Sequence, residues 1–145
     1  MYTTDMPYSR RDLALLLPAL TAAAAAAQDQ KKTLPSKVYK FEDLPVKVNG
    51  LNKSRAVLNG ELHSGLPLEL HITELAAGQS PHAPHKHEHE EIVLLRSGQL
   101  DVTVGGQTTR ATAGSVVYFA SNEEHGTHNP GPDPAMYFVI ALGRG

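Results

Sequence analysis

The sequence contains no cysteine among its 145 residues. Thiol catalysis, iron–sulfur clusters and blue-copper sites are therefore excluded, because each requires a cysteine sulfur. A strong excess of charge is also missing, since the formal net charge at pH 7 is -2. Without a basic patch, the sequence gives no support to nucleic-acid binding. What remains open is chemistry that relies on histidine and carboxylate side chains.

The N-terminal part contains an apolar run, LALLLPALTAAAAAA at residues 13–27, that is too short to cross a bilayer comfortably. It follows Arg10 and Arg11 and ends in small residues, as a secretory signal does. The arginine pair resembles a twin-arginine export signal. We therefore expect residues 1–27 to be a signal peptide cleaved near Ala27. The mature protein would then be periplasmic or otherwise exported from a bacterium, with no stable membrane anchor; a buried N-terminal helix is the alternative.

The mature chain divides into a polar segment, residues 28–37, and a longer β-rich part, residues 38–145. The polar segment is predicted to be a flexible tether. In the longer part, short β-rich runs alternate with glycine, proline and asparagine, and Gly105-Gly106 predicts a two-residue hairpin turn. Eight or so short strands at this spacing predict a single all-β domain, either a sandwich or a small barrel. The strands are predicted near residues 38–41, 55–62, 67–75, 91–96, 99–104, 107–112, 115–119 and 135–142.

The last predicted strand, AMYFVIAL at residues 135–142, is apolar on both faces. One face can fill the interior of the domain, and the other needs a second covering layer. An N-terminal strand or a second subunit would supply that layer. We therefore expect a homodimer.

The stretch PHAPHKHEHEE holds four histidines and three glutamates. Residues two apart in a strand point to the same side, so one extended segment can direct His85, His87 and Glu91 together. A catalytic metal needs several lone-pair donors that converge from a rigid frame. A further imidazole would come from the later histidines, His125 or His128. The alternative for the stretch by itself is a solvated histidine-rich loop.

The spacing of this region resembles the first motif of the cupin superfamily. That motif has a glycine, His-x-His, three residues, a glutamate, six residues and a second glycine. Here the matching positions are Gly78, His85, His87, Glu91 and Gly98. One departure is a gap of six residues, not five, between Gly78 and His85, which we interpret as a loop insertion.

A second motif of the same superfamily matches further along the chain. Gly114, His125 and Asn129 are in register, while Ala120 and Asn122 stand where the family has proline and glycine. Asparagine tolerates the left-handed backbone that glycine supplies in such a turn. The resemblance spans about residues 61–142 and implies a single cupin barrel, also called a double-stranded β-helix or jelly-roll.

The resemblance also implies a metal site. It assigns one divalent transition metal to His85, His87, Glu91 and His125. Such borderline ligands suit Mn, Fe, Co, Ni, Cu or Zn. We favour Mn or Fe, because twin-arginine export moves folded proteins that take up their metal in the cytoplasm. His89 is interpreted as a neighbour of the ligands and not as one of them.

The remaining histidines receive non-ligand interpretations. A solvent-facing loop position is predicted for His82, a surface position for His128, and structural roles for His63 and His71. The pocket beside the metal would be lined by aromatic and apolar residues of two predicted strands: Tyr118, Phe119, Met136, Tyr137 and Phe138.

Three classes of function are compatible with these residues. The first is a metal-dependent enzyme on a small organic substrate, of oxygenase, decarboxylase, isomerase or lyase type. The second is a non-catalytic module that binds a small, sugar-like molecule, and the third is a metal-binding protein without a substrate. Four protein ligands on an octahedral metal leave two positions for an exogenous molecule, whereas a structural site closes its shell. The fold hosts many chemistries, so no catalytic residue is assigned.

Overall fold

The computed structural model describes residues 33–143. The predicted signal peptide, residues 1–27, lies outside them. The described part contains one 3-10 helix, Phe41–Asp43, and nine strands. No helix in this part is long and apolar enough to cross a membrane. The strands are β1 (Val46–Asn49), β2 (Asn52–Glu61), β3 (Pro67–Leu75), β4 (Glu90–Ser97), β5 (Gln99–Val104), β6 (Gln107–Thr112), β7 (Val116–Phe119), β8 (His125–His128) and β9 (Ala135–Leu142).

The strands form two sheets. The larger has the order β1-β2-β3-β9-β4-β7, and the smaller has the order β6-β5-β8. All the paired strands are antiparallel. This arrangement confirms the predicted all-β class and is consistent with a jelly-roll sandwich. The hydrophobic core lies between the sheets and consists of Leu75, Val93, Leu95, Leu100, Val102, Ala111, Phe119, Ala135, Tyr137 and Val139.

Strand β9 lies between β3 and β4 in the larger sheet. Its alternate residues Ala135, Tyr137 and Val139 are buried, as the period of two in a strand requires. The residues between them, such as Met136 and Phe138, are half-buried on the opposite face. The apolar character of both faces thus suits a central strand. The dimer inferred from that second face stays a prediction.

Two motif positions that carry no functional side chain have backbone reasons for their identity. Asn122 has φ 61, so it adopts the left-handed conformation that the sequence predicted for it. Gly98 has φ +79, and a Cβ there would lie 2.7 Å from the Cα of Ala135. Only glycine fits between β4 and β5, because a side chain would collide with the start of β9.

Most predicted strands are present, but two parts of the prediction were wrong. The segment predicted as a strand at 38–41 leads into the 3-10 helix, and the first strand is Val46–Asn49. Strand β8, His125–His128, was not predicted at all. Its sequence HGTH has no run of β-branched or aromatic residues, and its register is set by pairing with β5 instead.

Candidate metal centre

The main chain brings the two histidine regions together. His85 and His125 form an isolated antiparallel bridge, in which the His85 amide donates to the His125 carbonyl at 3.0 Å and the reverse bond is 2.9 Å. The Asn122 amide donates to the His87 carbonyl at 2.7 Å, which fixes the next part of the loop. Glu91 follows within β4. The residues from 85 to 91 are therefore not one continuous strand, as the sequence argument assumed, yet backbone hydrogen bonds still hold them at one end of the sandwich.

The four sequence-predicted ligands lie side by side. His85, His87 and His125 each direct one ring nitrogen to a common point, and these atoms are within 4.8 Å of one another. Glu91 Oε1 lies 3.4 Å from His87 Nε2, and its Oε2 lies 3.8 Å from His125 Nε2. Donors from both sheets thus meet at one position, since Glu91 is on β4 and His125 is on β8.

Two of the imidazoles are oriented by hydrogen bonds to main-chain carbonyl groups. His87 Nδ1 lies 2.8 Å from the carbonyl of His89, and His125 Nδ1 lies 2.8 Å from that of Glu123. A carbonyl only accepts, so each Nδ1 carries the proton and each Nε2 presents a lone pair. In metal sites, a hydrogen bond from the other ring nitrogen to a carbonyl commonly fixes the tautomer of a metal-binding histidine.

The lone pairs at the centre have no hydrogen-bond partner. Among the residues that the structure describes, the buried side-chain nitrogen and oxygen atoms without a partner are His85 Nδ1, His87 Nε2 and His125 Nε2. Unpaired buried polar atoms cost about 1–3 kcal/mol each, so three at one point indicate a missing partner. Three imidazole nitrogens beside a carboxylate match the donor set of a borderline divalent metal. The residues present therefore fit the metal that the sequence implies.

The electrostatics of the cluster favour the neutral, metal-binding form of His85. Burial lowers the pKa of this imidazole, and the neighbouring His82, His125 and His87 lower it further. The carboxylate of Glu91 acts in the opposite direction. Because a protonated imidazole cannot ligate, a lowered pKa extends the pH range over which a metal can bind.

Ring contacts hold the histidines in place from behind. The His125 ring stacks on Phe119 with centroids 4.0 Å apart and an interplanar angle of 15°. His87 and His89 stack at 3.6 Å and 7°. His125 is 3% exposed, so its ring has little room to turn away from the centre. The packing pre-organises the donors.

His89 is closer to the centre than its sequence position alone indicated. Its Nε2 lies 3.3 Å from Glu91 Oε1, and His87, His89 and Glu91 form a second group of donors that could hold an ion. The same contact lets His89 donate a hydrogen bond that orients the carboxylate, which is the role that the sequence interpretation favoured. The strict alternation along the motif could have indicated this proximity, since His89 shares parity with His87.

A cavity of about 210 Å³ adjoins the cluster, and Glu91 and His125 form part of its wall. Its apolar lining comes from Val93, Phe119 and Val139. The lining also includes three residues with hydroxyl groups, Thr73, Thr127 and Tyr137, together with His71, Pro81, His82 and Gly126. Sequence reasoning named Phe119 and Tyr137 as pocket residues but missed both threonines and His71. No local motif marks them, because only the pairing of the strands brings them together.

Burial raises the pKa of Tyr137 to about 12, and the carboxylate of Glu91 raises it as well. Hydrogen bonding with the hydroxyls of Thr127 and Thr73 acts in the opposite direction. The phenol is thus neutral throughout the physiological pH range and keeps its proton.

Other predicted residues lie away from the cavity. His128 alternates outward from His125 on β8, is exposed, and contacts Ser80 Oγ through its Nδ1 at 3.1 Å. Its predicted surface position is confirmed. Tyr118 is 55% exposed, and neither it nor the outward-facing Met136 or Phe138 lines the cavity, so those three pocket assignments were wrong.

His82 is exposed, as predicted, but it also borders the cavity. Its ring lies edge-on to that of His85, with centroids 4.1 Å apart. His82 is therefore part of the rim of the site and shields one side of a candidate ligand.

Comparison with known proteins gives a match to one family model and a shared fold. The family model for the cupin domain matches residues 71–141, which include the four predicted ligands. No curated protein has significant sequence similarity to the chain. The family match agrees with the two motifs found in the sequence.

Several solved structures share the fold. An RmlC-like cupin from Shewanella frigidimarina is 20% identical, with a TM-score of 0.62 over 75% of this chain and 93% of that one. A predicted oxalate decarboxylase from Thermotoga maritima is 18% identical, with a TM-score of 0.65 over 74% and 100%. The polyketide cyclase RemF from Streptomyces resistomycificus is 16% identical, with a TM-score of 0.63 over 77% and 81%. At these identities the similarity establishes the fold alone.

Proposed function

Because the family model for the cupin domain matches residues 71–141, we propose that this protein binds one divalent transition metal and presents it to a small organic molecule. The proposed ligands are His85, His87, Glu91 and His125. The proposed activity is that of a metal-dependent enzyme of oxygenase, decarboxylase, isomerase or lyase type. A non-catalytic module for a small, sugar-like ligand is the second candidate.

The observation that carries the metal assignment is the set of three buried imidazole nitrogens without a partner. Their lone pairs converge, and two of the rings are held in the required tautomer by carbonyl groups. A structural role alone would have provided hydrogen-bond partners for these nitrogens. A divalent metal supplies a partner to all of them at once.

The cavity supports an exogenous ligand in addition to the metal. Glu91 and His125 lie in its wall, so coordination positions not used by the protein are expected to open into it. At about 30 Å³ per water molecule, 210 Å³ corresponds to roughly seven waters. Pockets for drug-sized ligands hold roughly 300–1,000 Å³, so the expected ligand is smaller than these.

The arrangement supports polar catalysis more directly than simple storage of a metal. A metal bound here would act as a Lewis acid on a ligand oxygen. The apolar side chains of Phe119, Val93 and Val139 would exclude bulk water. Thr73, Thr127 and Tyr137 would provide hydroxyl groups in the same cavity lining. Two of the similar structures bear the names of a decarboxylase and a cyclase, two different reactions on small molecules. They support the class of substrate and leave the reaction type open.

The test begins with protein stripped of metal and reloaded with Mn(II) or Fe(II) under anaerobic conditions. Small acids, diketones and phenolic compounds are then screened, with spectral change and product measured separately. Product that disappears in His125→Ala and persists in His128→Ala supports the enzyme, since both histidines lie on β8 but only His125 faces the cluster. Spectral change without product supports the binding module. Wild-type protein that retains no metal refutes both.

The site of action is proposed to be outside the cytoplasm. This proposal rests on Arg10 and Arg11 and on the apolar run that follows them. Replacing both arginines with lysine is expected to leave the precursor inside the cell, as seen by fractionation and immunoblotting. Unchanged export of the variant would exclude the twin-arginine route.

A further inference from the structure

Tyr137 places a buried phenol on the wall of the cavity that adjoins the metal cluster. It is 3% exposed and is the third residue of β9. In the β3–β9 ladder, Thr73 is its direct partner on the larger sheet. Thr127 reaches the same hydroxyl from β8, two residues after His125 and on the same side of that strand. The phenol therefore spans from one sheet to the other.

The hydroxyl of Tyr137 lies close to those of Thr73 and Thr127, and all three residues line the same cavity. The two threonines lower the pKa of the phenol, as hydroxyl groups that donate to its oxygen do. A hydroxyl has one donor and two acceptor positions. With the threonines as donors, the proton of the phenol is available for an acceptor in the cavity.

The same cavity connects this trio with the metal ligands. Glu91 and His125 are on its wall together with Tyr137. The lining also includes the apolar side chains of Val93 and Val139. A ligand that occupies the open positions of the metal would therefore lie in the cavity that Tyr137 lines.

We propose that the Tyr137 hydroxyl, oriented by Thr73 and Thr127, donates a hydrogen bond to an oxygen of a small carboxylate bound at the metal. Tyr137 is then a ligand-binding residue that selects oxygen-rich, anionic ligands, and the two threonines are positioning residues. This inference rests on the proposed function, because it requires the metal at the histidine cluster. It goes further in naming the ligand chemistry and the residue that recognises it.

The expected ligand follows from the chemistry of the cavity lining. A divalent metal with one carboxylate ligand keeps a net positive charge and attracts an anion. The hydroxyl of Tyr137 is a neutral donor, and burial among apolar side chains strengthens a hydrogen bond to a charged oxygen. A ligand with a carboxylate and few carbon atoms suits both the metal and this donor within the space of roughly seven waters.

The experiment uses Co(II)-loaded protein and two probes, acetate and imidazole, each titrated while the visible absorption of the metal is recorded. Both probes bind metals, but metal-bound imidazole has no remaining acceptor for a hydrogen bond. Tyr137→Phe removes the hydroxyl and keeps the ring. The matched control is Tyr118→Phe, whose hydroxyl donates to Glu90 Oε1 at 2.8 Å on the exposed face.

In Tyr137→Phe, the dissociation constant for acetate is expected to rise about ten-fold or more, the effect of losing a hydrogen bond to a charged group. The constant for imidazole and the cobalt content are expected to stay within two-fold, and Tyr118→Phe to match wild type with both probes. Unchanged acetate binding would overturn the proposal, as would equal weakening of acetate and imidazole. If wild-type protein binds cobalt and responds to neither probe, the proposed function fails independently of Tyr137.

Discussion

Loading the stripped protein with metal is expected to raise its melting temperature by roughly 10 °C. The added metal is expected to bind the three buried nitrogens of His85, His87 and His125, which have no hydrogen-bond partner without it. If each costs about 1–3 kcal/mol, the stripped centre carries a penalty of several kcal/mol. Water that enters through the cavity recovers part of it. The metal replaces that partial compensation with direct ligation.

The size of the shift follows from binding linkage. At a free metal concentration of one hundred times the dissociation constant, the native state gains about 2.7 kcal/mol. For domains of this size, 1 kcal/mol shifts the melting temperature by about 2–8 °C. Multiplying these two values gives a shift in melting temperature of roughly 5–20 °C, which differential scanning fluorimetry detects easily.

The assay compares melting temperatures with and without Mn(II) or Co(II) in wild type and two variants. His125→Ala is expected to lose the shift, because a ligand and its stacking on Phe119 disappear together. His128→Ala, on the same strand but exposed, is expected to keep the shift. A wild-type protein that no divalent metal stabilises, or a full shift in His125→Ala, would refute the argument from unpaired nitrogens.

Three other predictions follow from single contacts. His89→Gln is expected to weaken metal affinity about ten-fold, because the variant loses the imidazole that orients the Glu91 carboxylate. A loss of affinity as large as that in Glu91→Ala would show that His89 is itself a ligand. Tyr137 has a pKa raised to about 12, against about 10 in the unfolded chain, so its contribution to stability is complete well below pH 10 and is lost as the pH rises through this range. Between pH 10 and 12, wild type is expected to lose about 2 kcal/mol of unfolding free energy that Tyr137→Phe does not lose, measured by urea unfolding at both pH values. Gly98→Ala is expected to lower the free energy of unfolding by about 2–5 kcal/mol in the same assay, because its Cβ would lie 2.7 Å from the backbone of β9. Gly114 has φ +90 and open space around it, so Gly114→Ala is expected to lower that free energy by only about 1–2 kcal/mol. Equal losses at the two glycines would show that backbone conformation alone, without the close approach, determines the effect.

The sequence predicted the positions that local spacing determines. The motif spacing singled out His85, His87, Glu91 and His125, and the structure places all four side by side. The hairpin at Gly105-Gly106 has positive φ at both residues, 54 and 82, as its composition indicated. These features depend on a few neighbouring residues, so they are visible before any tertiary contact is known.

What the sequence could not predict depends on contacts between distant strands. Strand β8 has no apolar alternation and exists through its hydrogen bonds with β5. Thr73 and Thr127 are ordinary strand residues until Tyr137 brings them to one cavity. Such placements follow from the pairing of strands that are distant in the sequence, which local spacing does not reveal.

The backbone bridge between His85 and His125 links the release rate of the metal to the motion of the main chain, which equilibrium binding does not measure. Opening of the loop breaks both amide hydrogen bonds and separates two proposed ligands in the same motion. Release of the bound metal is then expected to be coupled to local unfolding of these few residues. Hydrogen–deuterium exchange at the two amides is therefore expected to slow as the metal concentration rises, and its rate would report how often the centre opens.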